Sequence, residues 1–169
     1  MNNRPHSDEY AAYYATYINL VGDEPILDIL ENLKESTYSF FMGIDTDKAD
    51  YAYAEGKWTI KELLGHLIDA ERTFAYRILA FSRGQQELPG FDENAYVENA
   101  TFSSRLFKDI VEEFRQVRES NMYLFRSLSS QQLNATGIAS GNKISVRALL
   151  YICAGHEIHH LNIVKERYL

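Results

Sequence analysis

The chain has 169 residues, with 24 acidic against 17 basic side chains and a formal net charge of −7. That length predicts one domain, 1–169, able to bury a core without help from a disulfide or a metal, and the acidic balance speaks against nucleic-acid binding through phosphate attraction. One cysteine, Cys153, rules out an internal disulfide framework and fits a reducing, cytoplasmic setting, while the absence of an apolar run in MNNRPHSDEY or of any bilayer-length stretch predicts neither a secretory signal nor a membrane partner.

In chain order, Tyr10, Tyr13, Tyr14 and Tyr17 fall at helical spacing behind Ser7, a candidate N-cap. They predict a short helical arm over residues 1–22, its tyrosines covering a core edge. Pro25 suits the first turn of the next helix. There Ile26, Ile29, Leu30, Leu33, Phe40 and Phe41 make an apolar stripe reaching about Ile44. The polar stretch DTDKADYAYAEGK is a loop. Thr59 followed by Glu62 spells a capping box and opens a helix with Leu63, Leu67, Phe74 and Ile78 on one face, stopped by Gly84. GQQELPGFDENAYVENATF reads as a long loop, of the kind that borders sites. Ser103 or Ser104 is expected to cap a helix carrying Phe107, Val111, Phe114 and Phe125, ending near Leu128. SSQQLNATGIASGNK reads as a polar connection without a period-2 strand pattern. Ser145 caps the last helix, with Leu149, Ile152, Cys153 and Ile163 facing inward. The sum is an all-α fold, a four-helix bundle over 23–169 with an N-terminal helical arm.

The last helix crowds three of the five histidines, His156, His159 and His160, into GHEIHHLNIVKERY. His156 and His160 are four apart and lie one above the other on the apolar face. Imidazoles in such a stripe need partners. A divalent metal is one, binding two neutral rings at about 2.0–2.1 Å; carbonyl or carboxylate hydrogen bonds to ordinary core histidines are the alternative. A third ligand has to come from another helix, and His66, beside Leu63 and Leu67, borders a core-facing stripe. Three histidines from two helices leave a coordination position open, the arrangement of catalytic sites. Cys153 lies about 10.5 Å of helix rise from His160, too far to join the same ion easily, and reads as a small buried hydrophobe. His159 is off the stripe.

His156, Glu157 and His160 also spell the H-E-x-x-H of zinc proteases. The longer protease signature needs Gly and His where this chain has Ile163 and Glu166, and no sheet is expected to cover the helix. Metalloprotease is therefore rejected.

Other polar residues sit where chemistry needs them. Arg118, four after Phe114, and Asn121 lie on an apolar stripe. They are candidates for gripping an anionic small-molecule substrate, unless Arg118 is taken by a salt bridge to Asp69 or Glu71. Asp92 and Glu93 in the long loop are candidate acids or bases, or caps of that loop. Glu157 is a candidate for holding water or orienting a ligand, or an ordinary exposed helix residue.

The segments GKWTIKELLGHLIDAERTFAYRILAFSRG and VRALLYICAGHEIHHLNIVKERY, together with GFDENAY and YYATYINLV, resemble the DinB-like superfamily of bundle metalloproteins, which includes bacillithiol-transferase-like members. The resemblance spans nearly the whole chain. It implies an up-down-down-up bundle and a metal triad at His66, His156 and His160. It also implies zinc or nickel as cofactor and association as a homodimer. The implied activity is that of a divalent-metal-dependent hydrolase or a transferase using a low-molecular-weight thiol as co-substrate. A metal- or ligand-binding stress protein without turnover is the alternative on the same fold, and a purely structural role for the histidines is a third.

Overall fold

In the computed structural model, which describes residues 4–169, each apolar stripe becomes a helix with an identifiable start and stop. A one-turn helix α1 (Ala15–Ile18) follows a 3₁₀ turn at Ala12–Tyr14, and α2 (Ile26–Met42) starts directly after Pro25. α3 (Ile60–Ser82) opens with the capping box: Thr59 accepts from the Glu62 amide and the Glu62 carboxylate accepts from the Thr59 amide. After α3 comes a short helix, α4 (Glu93–Asn99). α5 (Phe107–Arg126) and the single turn α6 (Ser130–Leu133) lead to α7 (Val146–Arg167). Ser145 caps α7, its hydroxyl accepting from the Ala148 amide.

α2, α3, α5 and α7 form a four-helix bundle. Lys34 and Glu119, Glu31 and Arg126, and Phe41 and Phe107 pair α2 with α5 in opposite directions. Thr37 meets Glu157 and Phe40 meets Lys165, so α2 and α7 run together. His66 meets His160 while Glu71 meets Cys153, so α3 opposes α7. The order is therefore up, down, down, up. Apolar side chains gather in two buried clusters. One joins Leu30, Phe74, Ile78 and Phe125 to Leu149 and Ile152. The other joins Phe41, Leu64 and Ile68 to Ile110, Leu161 and Val164. Each fully buried Leu, Ile or Phe contributes about 1.5–3 kcal/mol. The polar layer between the clusters holds the histidines and a buried ion-pair network. Among the described residues, no helix is long and apolar enough to cross a membrane.

Five local readings change. The stretch expected to be a loop without a helix contains α4, because Asp92 caps it by accepting from the Asn94 and Ala95 amides. The connection after α5 contains a hairpin, β2 (Thr136–Ala139) with β3 (Asn142–Ser145), and β1 (Glu87–Leu88) joins β2 in parallel. Four-residue strands with a glycine in the first carry too little alternation to be read from sequence. The turn at Ser140 and Gly141 holds both residues at positive φ, as two-residue hairpins prefer. Ser103 and Ser104 do not cap α5; they form a 3₁₀ turn, and Leu106 precedes the helix with no side-chain cap. Ser7 lies in a turn rather than capping the arm, and Leu161 and Val164, rather than half-buried Ile163, complete the inner face of α7.

Candidate metal centre

Antiparallel packing of α3 on α7 carries His66 to the pair His156 and His160. The Nε2 atom of His156 lies 3.0 Å from that of His66 and 3.2 Å from that of His160. One nitrogen from each ring lies within 4.8 Å of the others. Burial pushes the His66 imidazole down to about 4. Burial, and then the neighbouring His66 and His159, push His160 down to about 3. Burial and the adjacent His160, His66 and His159 hold His156 well below the ordinary range. All three rings are thus neutral at pH 7, each with one lone pair.

A cation fits that arrangement. A neutral imidazole nitrogen carries a proton or a lone pair, never both. His156 Nε2 can therefore satisfy only one of its two close neighbours. A cation accepts all three lone pairs together. Bonds of about 2.0–2.1 Å at angles between octahedral and tetrahedral require nitrogens about 2.9–3.3 Å apart. The two Nε2 separations around His156 match that spacing. Aromatic rings hold the imidazoles from outside: Trp58 lies 4.8 Å from His66, Tyr17 5.3 Å from His156 and Phe74 5.6 Å from His156.

The histidines form the inner end of an open cleft of about 380 Å³. Tyr13, Tyr14 and Tyr17 of the N-terminal arm line it, as do Phe91 and Glu93. The arm reaches this position because α7 has glycine at 155. A Cβ there would overlap the Tyr17 carbonyl. The arm is fastened again at Glu9, whose carboxylate accepts from Ser145 at 2.7 Å and from Arg147 at 2.5 Å.

The sequence model of the DinB superfamily matches residues 29–164. The chain belongs to the DinB superfamily. A protein of Oceanobacillus iheyensis named as a candidate metal-dependent hydrolase is 26% identical over 148 residues, covering 83% of this chain and 85% of its own length. Among solved structures, YfiT from Bacillus subtilis is described as a candidate metal-dependent hydrolase with an unusual four-helix bundle topology. It superposes with a TM-score of 0.69 at 18% identity, covering 98% of this chain and 91% of its own. YjoA, a DinB-like protein of the same organism, gives 0.60 at 22% identity, covering 83% and 86%.

Other residues singled out for chemistry in this DinB-superfamily chain are placed differently. Arg118 does not face the cleft. It is 0% exposed and grips Glu71 through Nε at 2.6 Å and Nη2 at 2.5 Å. It also donates to the Leu30 carbonyl at 3.1 Å and to Glu157 at 2.7 Å. Of the two readings of Arg118, the salt bridge to Glu71 is the one the structure shows; its donors are used inside the protein and leave no open face for a substrate anion. Asn121 donates to Glu71 at 3.2 Å and belongs to the same network. Glu157, expected beside the metal water, points the other way, to Arg118 and the Thr37 hydroxyl at 2.5 Å. Burial raises the Glu157 carboxyl, and Arg118 and Thr37 offset this only in part. Burial also pushes Glu71 up, but Arg118, Asn121 and Cys153 outweigh it and leave Glu71 below its ordinary value. The hub therefore sets two buried carboxyls around one guanidinium, Glu71 held below its ordinary value and Glu157 raised above it. Asp92 serves as the cap of α4, and its neighbour Glu93 is the carboxylate that lines the cleft. Trp58 and Arg77 line it too, although neither drew notice as a site residue. Arg77 carried the same signal as Arg118, a charge on an apolar stripe, three residues after Phe74.

Proposed function

We propose that this chain is a divalent-metal-dependent hydrolase whose ion is held by His66, His156 and His160. The observation that carries the reading is the gathering of three imidazoles, with one nitrogen from each within 4.8 Å of the others, in the lining of an open cleft. The names of the Oceanobacillus and YfiT relatives support it. Zinc or nickel bound there supplies Lewis acidity that makes water or a thiol reactive near neutral pH. Glu93, exposed on the cleft wall, takes a proton from the attacking group and returns it to the leaving group. Trp58, Tyr17 and Phe74 keep bulk water from the reacting end and offer an apolar surface to substrate. The aromatic lining also suits a soft sulfur, which favours S-transfer from a low-molecular-weight thiol as the second reading. A cytoplasmic location, drawn from the single buried thiol of Cys153, belongs to the same proposal.

The test is metal content by mass spectrometry on untagged protein and on His160→Ala. Near-stoichiometric zinc or nickel is expected in the parent, with a fall to about a tenth or less in the variant and an unchanged far-UV helix signal. Equal metal in both would overturn the ligand assignment. Loaded protein is then screened with esters, amides and thiols. Turnover that disappears in Glu93→Gln with metal retained supports the proton-carrying role.

A further inference from the structure

The cleft has a second end. Arg77 lines it three turns along α3 from His66, about 16 Å of helix rise away. The side chain is 2% exposed. Nη2 donates to the Pro89 carbonyl at 3.3 Å and to Ser140 Oγ at 3.2 Å, while Nε is buried with no partner. None of the ion pairs among the described residues includes Arg77. The contrast with Arg118 is direct: that equally buried guanidinium has two carboxylates. A buried cation without an anion is costly, and the Phe91 ring 5.8 Å away offsets only part of the cost. The hairpin turn holds Ser140 on the guanidinium, so the group is positioned rather than loose.

We infer that the cleft takes an elongated substrate with a carboxylate at one end, gripped by Arg77, and its reacting group at the histidines. The inference rests on the proposed metal-dependent reading for the reacting end only. One unpaired guanidinium balances one negative charge. Glu93 in the same lining and the net charge of −7 oppose a more highly charged group such as a phosphate. The same lining includes Tyr13, Tyr14 and Phe74, which suit an apolar section of the substrate.

The test is calorimetric titration of the full chain, with and without zinc, using 8-mercaptooctanoic acid and 8-mercaptooctan-1-ol. The acid is expected to bind about tenfold tighter than the alcohol in both states. Arg77→Met should bring the acid to the level of the alcohol and leave the alcohol unchanged, with Arg77→Lys between. Equal binding of acid and alcohol by the parent protein would overturn the inference, as would an acid preference that survives in folded Arg77→Met. If that variant fails to fold, the comparison in the parent protein decides. Octyl phosphate binding more tightly than octanoate would overturn the carboxylate assignment. Failure of the metal reading has a different signature: no zinc uptake and no zinc enhancement, with the acid preference intact.

Discussion

Glu71 and Arg118 meet through two short hydrogen bonds with no solvent beside them. Removing one partner of a buried pair leaves the other charge stranded, at a cost of about 3–5 kcal/mol. Glu71→Ala should cost near the lower end of that range, because Glu157 remains paired with Arg118. The loss is read from the urea midpoint of the metal-free protein, and a change under about 1 kcal/mol would show that the pair is not a unit. A polar residue on an apolar stripe flags both Arg118 and Arg77 in the sequence. For Arg118 the sequence offered Glu71 as a salt-bridge partner, but not Glu157, and it held no sign that Arg77 lacks one, since these pairings depend on how α3 and α7 pack.

The arm is held to α7 at two places, Glu9 on the helix N-terminus and the Tyr17 carbonyl on Gly155. Gly155→Ala places a methyl group where that carbonyl sits. The expected cost is about 1–3 kcal/mol for the forced displacement, and the cleft loses a wall. Limited proteolysis should cut within residues 9–22 sooner in the variant while the far-UV helix signal is retained. An unchanged cleavage rate would mean that the arm accommodates the methyl group. Two helix starts were legible, whereas Ser7 and Ser103 or Ser104 do not cap as expected. Thr59 with Glu62, and Ser145, cap as their side-chain chemistry dictates. α4 and the small sheet were not legible. A seven-residue helix and four-residue strands carry too few periods to stand out, and their stability comes from neighbours such as Phe81, which packs against Gly137.

At the scale of the molecule, the polar layer between two apolar clusters makes metal-free stability depend on pH. The histidine values in the folded protein, about 4 for His66 and about 3 for His160, lie below the ordinary value near 6.5. As pH falls, the unfolded chain takes protons first. Stability is therefore full above about pH 6.5 and is lost progressively as pH falls toward 4, by at most about 1.4 kcal/mol per group per pH unit. Thermal midpoints of metal-free protein at pH 7 and pH 5 check this. A lower midpoint at pH 5 is expected, with a smaller difference in His66→Asn. A midpoint insensitive to pH would contradict the burial of neutral rings.

The helix-forming stripes, the caps of α3 and α7 and the i,i+4 pair in the last helix are local patterns. The sequence by itself determined them, because backbone capping and helical spacing act over a few residues. That His66 meets that pair, that Glu157 turns to Arg118 rather than to the cleft, and that Arg77 is left without a carboxylate were decided only by the tertiary structure. Each depends on which helices are neighbours and on their depth in the bundle. Burial and partner charge there come from residues tens of positions away.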